Sequence, residues 1–212
     1  MSSETQHVVV VHGLFMTGFE YGLLARRIEK ADFQSSLVHY RSLRWDVERA
    51  VAQLREGVER VNSSTVHLVG HSLGGTLILA TLAAHPELTR GRAVLLGSPV
   101  QGSRVARMVQ DSPAGTLVGG RMFDELLAVD HEPVWQGSQQ LGTLAGTDGF
   151  GIGSVIGDLQ PPHDGTVQVA ETRIHGATDH IELEVSHTAM LFSKEVASQT
   201  THFLHNGVFH RA

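Results

Sequence analysis

The sequence predicts an α/β fold: a mostly parallel sheet of about six strands with helices on both faces. Three observations carry this. Short apolar runs, several ending in glycine, recur along the first half of the 212-residue chain. The stretches between them carry apolar residues at helical spacing. The two kinds alternate, β-α-β-α-β-α-β, which places helices on both sides of a parallel sheet.

Each element has its own signature. "HVVVVHG" (7–13) reads as a strand buried on both faces. Residues 17–30 place Leu23, Leu24 and Ile28 on a helix whose end carries Arg26, Arg27 and Lys30. "FQSSLVHY" (33–40) is a second strand, and 45–61 is a helix with Val47, Val51, Leu54, Val58 and Val61 on one face. "TVHLVG" (65–70) is a third strand, 73–85 a helix stopped by Pro86, and "AVLLG" (93–97) a fourth strand. "RVARMVQ" and "GGRMFDELLAVDH" read as short helices, and "LGTLAG" (141–146) as a fifth strand. "HIELEVSH" (180–187) alternates apolar and acidic residues, the mark of a half-exposed edge strand. A closing helix should bury Phe192, Val196 and Phe203 on one face.

Composition narrows the function. The chain suits one domain, 1–212, with a small cap insertion at about 103–140. With no cysteine it forms no disulfide and no thiolate metal site. A net charge of -6 argues against nucleic acid and against an anionic membrane surface. The first residues, "MSSETQHVVVVHG", show neither a basic leader nor a span long enough for a bilayer, so a cytoplasmic protein without stable membrane insertion is expected.

Chemistry concentrates at "VHLVGHSLGG" (66–75), where Ser72 stands between Gly70 and Gly74 at a strand-to-helix junction. A serine hydroxyl is a weak nucleophile until a base takes its proton. A sharp turn exposes it, strains its backbone, and brings the positions two residues away too close for side chains. The helix that follows aims its first N–H groups at the place where an oxyanion would form. His71 and His12, which flank this junction and the first strand, read as packing or supporting residues and not as bases.

A nucleophile of this kind predicts an acid and then a histidine later in the chain. His187, after the last strand, is the base expected, with His180 as the fallback. Asp164 in "PPHDGTVQV" is the acid expected; Asp148 is the alternative, with Asp158 and Asp179 behind it. Two backbone N–H groups should form an oxyanion hole. One is that of Leu73. The other comes from "HGLF", where Gly13 frees the turn and Leu14 is the donor, with Phe15 as the alternative.

Together these residues resemble the α/β-hydrolase superfamily, most closely its bacterial lipase-like serine esterases. "VVHGLF", "GHSLGG", "GSPVQGSRVA", "DGTV" and "SHTAML" occur in the family's order and cover most of the chain. Ser98 stands where threonine is usual, while Pro99, Gly102, Ser103 and Ala106 match. The family's usual first two strands are not read here, which leaves a minimal α/β-hydrolase sheet. By position, the resemblance implies Ser72 as nucleophile, Asp164 as acid, His187 as base, and Leu14 with Leu73 as oxyanion donors.

The activity expected is hydrolysis of a small-molecule carboxylic ester through an acyl-enzyme, with no cofactor and no metal. A thioesterase or acyltransferase with the same triad is the alternative, and a non-catalytic binding protein of this fold a more distant one. Met122, Phe123, Leu126 and Leu127 share a helical face within the cap segment. They are expected to wall an apolar pocket for short to medium acyl chains.

Overall fold

A computed structural model describes residues 6–14, 16, 18–40, 46–110, 134–151 and 159–211. Six strands form one sheet: β1 (His7–Val11), β2 (Gln34–Val38), β3 (Val66–His71), β4 (Ala93–Leu96), β5 (Leu141–Gly146) and β6 (Asp179–Leu183), in the order β2-β1-β3-β4-β5-β6. Every neighbouring pair is parallel.

The helices are α1 (Gly22–Glu29), α2 (Val47–Glu59), α3 (Leu73–Ala84), α4 (Arg104–Gln110), α5 (Val169–Thr172) and α6 (Lys194–Asn206). Short 3-10 turns at Phe19–Tyr21 and Ala189–Phe192 lead into α1 and α6.

The period of two in β1 divides its valines between two cores. Val9 and Val11 pack with Leu54, Leu68 and Leu77, on the side of α2 and α3. Val8 and Val10 pack with Leu24, Ile28 and Phe203, on the side of α1 and α6. All four are at most 1 % exposed, and burying each contributes about 2 kcal/mol. This explains the unbroken apolar run: a strand covered on both faces has no polar side to show. Helix α3 is apolar all round for a related reason, since it lies against β3 and α2.

The sheet order sets where a ligand can sit. The chain passes from β1 outward to β2, then crosses back over β1 to β3. The connections after β1 and β3 therefore leave in opposite directions and open a crevice at the carboxyl ends of those strands. Residues 12–14 and Ser72 stand at that crevice.

Several expected elements differ in detail. The helix expected over 17–30 has as its described part a 3-10 turn at Phe19–Tyr21 followed by α1, because Gly18, with φ 97, turns the chain sharply there. The strand expected to run to 187 stops at Leu183, so residues 184–187 form a loop. Phe192 does not lie on the buried face of α6. It ends the preceding 3-10 turn and is 49 % exposed. Of residues 103–140, expected to form a cap, only 103–110 with α4 and 134–140 are described. The expected helix carrying Met122, Phe123, Leu126 and Leu127 lies outside the described residues, as do Phe15 and Asp158.

Candidate active site

Ser72 follows β3 directly and is the N-cap of α3, with φ 55 and ψ -126. Few non-glycine residues adopt such a backbone, and it is sustained only when its surroundings over-determine it. They do so here by close packing. A Cβ on Gly70 would come 2.6 Å from the Cα of Gly75, and one on Gly74 would come 2.7 Å from the carbonyl oxygen of His12 and closer still to that of Val11. These are backbone obstacles that cannot rotate aside. The two glycines let α3 start against the end of β1. The Ser72 N–H donates to the carbonyl of Leu96 at 2.8 Å, which fastens the turn to β4.

Asp164 is 1 % exposed and His187 is 8 % exposed, and His187 Nδ1 lies 2.7 Å from Asp164 Oδ2. The other carboxylate oxygen accepts from the N–H of Thr166 at 2.9 Å and of Val167 at 2.7 Å. The His187 N–H also donates to the Asp164 carbonyl at 2.8 Å. Gly97, with φ 54 just after β4, makes room for this carboxylate, since a Cβ there would sit 3.0 Å from Oδ2. A fully hydrogen-bonded carboxylate beside a ring nitrogen fixes the tautomer: Nδ1 carries the proton and Nε2 is left as an acceptor.

The turn that carries Ser72 touches the loop that carries His187. His71, the residue before Ser72, has its ring centroid 4.7 Å from that of His187. Its Nε2 lies 3.0 Å from the His187 carbonyl oxygen. Ser72 Oγ makes no hydrogen bond among the described residues, to His187 or to any other group. Contacts of this kind are often long before a substrate is bound.

The loop after β1 completes the arrangement. A Cβ on Gly13 would be 3.2 Å from that of Ser72. The Gly13 N–H is occupied, donating to the Tyr21 hydroxyl at 2.7 Å. Among the described residues, the N–H groups of Leu14 and Leu73 have no hydrogen-bond partner. His12 is buried, stacks on Tyr40 at 4.4 Å, and lies with Nδ1 2.9 Å from the Gly13 carbonyl oxygen. The Tyr40 hydroxyl donates to the His12 carbonyl at 2.7 Å. Burial pushes the pKa of His12 down, and that of His71 down to about 3, so both rings stay neutral.

The other candidates lie elsewhere. Asp148 accepts from the N–H of Phe150 at 3.3 Å in an exposed turn. Asp179 pairs with Arg211, which holds its carboxyl below the usual range. His180 meets the Thr143 hydroxyl at 2.7 Å. No group of three or more His, Asp or Glu among the described residues could hold a metal ion. Likewise, no described helix is long and apolar enough to cross a membrane. Tyr21, Tyr40 and Glu171 carry no motif, and the sequence gives no sign of their part in holding these loops.

No protein-family model and no curated protein matches the sequence. Solved structures do match. A Bacillus licheniformis lipase, BlEst2 in its mature form, superposes with a TM-score of 0.77 at 19 % identity, over 98 % of this chain and 93 % of that one. The metagenomic carboxyl esterase MGS0156 has a TM-score of 0.64 at 19 % identity, over 88 % of this chain and 66 % of that one. A lipase-esterase related protein from Clostridium acetobutylicum has a TM-score of 0.60 at 12 % identity, over 93 % and 94 %. The chain has the α/β-hydrolase fold.

Proposed function

We propose that this chain is a serine hydrolase that cleaves carboxylic esters. The observation that carries the reading is the strained Ser72 at the head of α3, next in the chain to His71, which touches His187 of the buried His187–Asp164 pair. The structural likeness to a lipase and to esterases points to the same chemistry.

In this reading, His187 Nε2 removes the Ser72 hydroxyl proton as Oγ attacks the ester carbonyl. Asp164 accepts from Nδ1–H throughout and stabilises the imidazolium that forms. The oxyanion is met by the N–H groups of Leu73 and Leu14. Collapse of the intermediate breaks the carbon–oxygen bond, and His187 returns the proton to the departing alcohol. Water then repeats the sequence on the acyl-enzyme and releases the acid. The substrate proposed is an ester of short to medium acyl chain, on the strength of the apolar residues that the sequence places in the expected cap.

Two measurements test this. A fluorophosphonate probe should label the wild-type chain and spare Ser72→Ala, which should lose essentially all ester hydrolysis while folding normally. A panel of p-nitrophenyl esters and acyl-CoAs of graded length should favour short to medium esters. Preference for acyl-CoA would move the reading to a thioesterase. A Ser72→Ala variant that keeps a tenth of wild-type kcat would end it.

A further inference from the structure

Tyr21 is 1 % exposed, and its hydroxyl lies 2.7 Å from the Gly13 nitrogen, 3.1 Å from His71 Nδ1 and 3.0 Å from Met16 Sδ. His71 is equally buried. The proton positions follow from chemistry. A neutral imidazole has one N–H and one acceptor nitrogen. His71 Nε2 faces the carbonyl oxygen of His187 at 3.0 Å, and a carbonyl only accepts, so Nε2 carries the proton. Nδ1 is then an acceptor and takes the Tyr21 O–H, a better partner for it than a thioether sulfur. The same hydroxyl oxygen accepts from the Gly13 N–H. Every donor and acceptor in the series is used once, in one direction.

We infer that Tyr21 and His71 are positioning residues that set the distance between the loop supplying the oxyanion donor and the loop supplying the base. The series runs from Gly13 N–H through Tyr21 and His71 to the His187 carbonyl, and the His187 N–H carries it on to Asp164. Its two side chains come from a 3-10 turn and from the residue before Ser72, so three loops are tied through buried, low-dielectric bonds. Gly13 is next in the chain to Leu14, the oxyanion donor in the serine-hydrolase reading, and its N–H is the one this series holds. The inference rests on that reading and adds to it a mechanical link that neither His187 nor Ser72 makes alone.

Misplaced donors weaken interactions made in the transition state more than those made in the ground state. The test is Tyr21→Phe, which keeps the ring and deletes the hydroxyl, and His71→Asn, which keeps an acceptor toward Tyr21 and loses the donor to His187. Each is assayed per active site, counted by titration with a fluorophosphonate. Each should lower kcat about tenfold to a hundredfold with KM within about twofold. The double variant should lose no more than the worse single, because both break one series. Should Tyr21→Phe not fold, His71→Asn decides alone. The inference is overturned by kcat per titrated site within about twofold of wild type, by losses that add in full, or by fewer titratable sites each with normal kcat. A wild-type chain that takes no probe overturns the hydrolase reading first, and this inference with it.

Discussion

Ser72 occupies a backbone region where glycine is at ease and serine is not, with φ 55 and ψ -126. The fold tolerates this to expose one hydroxyl. Ser72→Gly should therefore exceed Ser72→Ala in stability by about 1 kcal/mol in chemical denaturation. Equal stabilities would mean that the turn is relaxed. A second residue-scale expectation separates the carboxylates. Asp164→Asn should lose far more kcat than Asp148→Asn, since an amide facing Nδ1 can favour the wrong tautomer of His187. The reverse ranking would move the acid to Asp148. Residues of this kind are legible in a sequence when their neighbours are constrained. Gly70 and Gly74 are written beside Ser72 because no side chain fits there. Tyr21 and Tyr40 hold the same crevice by their hydroxyls, yet they are set by contacts across the sheet that leave no local spacing to read.

At the scale of elements, the strands were readable wherever both faces are covered. β1, β3, β4 and β5 lie within a residue or two of the apolar runs that announce them, because burial on two sides disfavours polar residues without a hydrogen-bond partner. The last strand was harder. The alternation through Val185 continues past Leu183, where pairing with β5 ends, so the pattern outlasts the ladder. The short helix α5 carries no periodic signal and is held by a capping box between Gln168 and Glu171. The same Glu171 side chain accepts from the Arg104 N–H at 2.5 Å and so anchors the start of α4 from a residue far along the chain. Burial pushes its pKa up, which the surrounding N–H groups oppose. Glu171→Ala would remove a buried acceptor shared by the Arg104 and Gln168 N–H groups. It should cost about 2 kcal/mol in a denaturant midpoint series, against near-neutrality for Glu59→Ala on the exposed face of α2.

For the molecule as a whole, the histidines make stability a function of pH. In the unfolded chain a histidine titrates near 6.5. In the fold, burial pushes His67 down to about 4 and His71 down to about 3. Between those values and 6.5 the unfolded chain binds protons that the folded chain refuses. Stability is therefore complete above about pH 6.5 and drains away as pH falls toward 4, by up to about 1.4 kcal/mol per pH unit for each histidine. His67 accepts from the Arg92 N–H through Nδ1 at 2.9 Å, a role an asparagine carbonyl can fill. His67→Asn should show a shallower fall in urea midpoint between pH 6.5 and 4 than wild type; an unchanged slope would exclude His67 as a source.

The candidate site draws on residues 13–14, 72–73, 164 and 187, carried at the ends of strands from the middle of the sheet to its far edge. No excised peptide contains it, and no half of the chain does either. In the serine-hydrolase reading, turnover is thus a readout of finished assembly. During refolding from denaturant, helical circular dichroism can return while the loops are still apart, whereas ester cleavage should reappear only with the slowest phase that seats β5 and β6 beside β4. An assay of hydrolysis would then serve as a clock for the completion of this sheet.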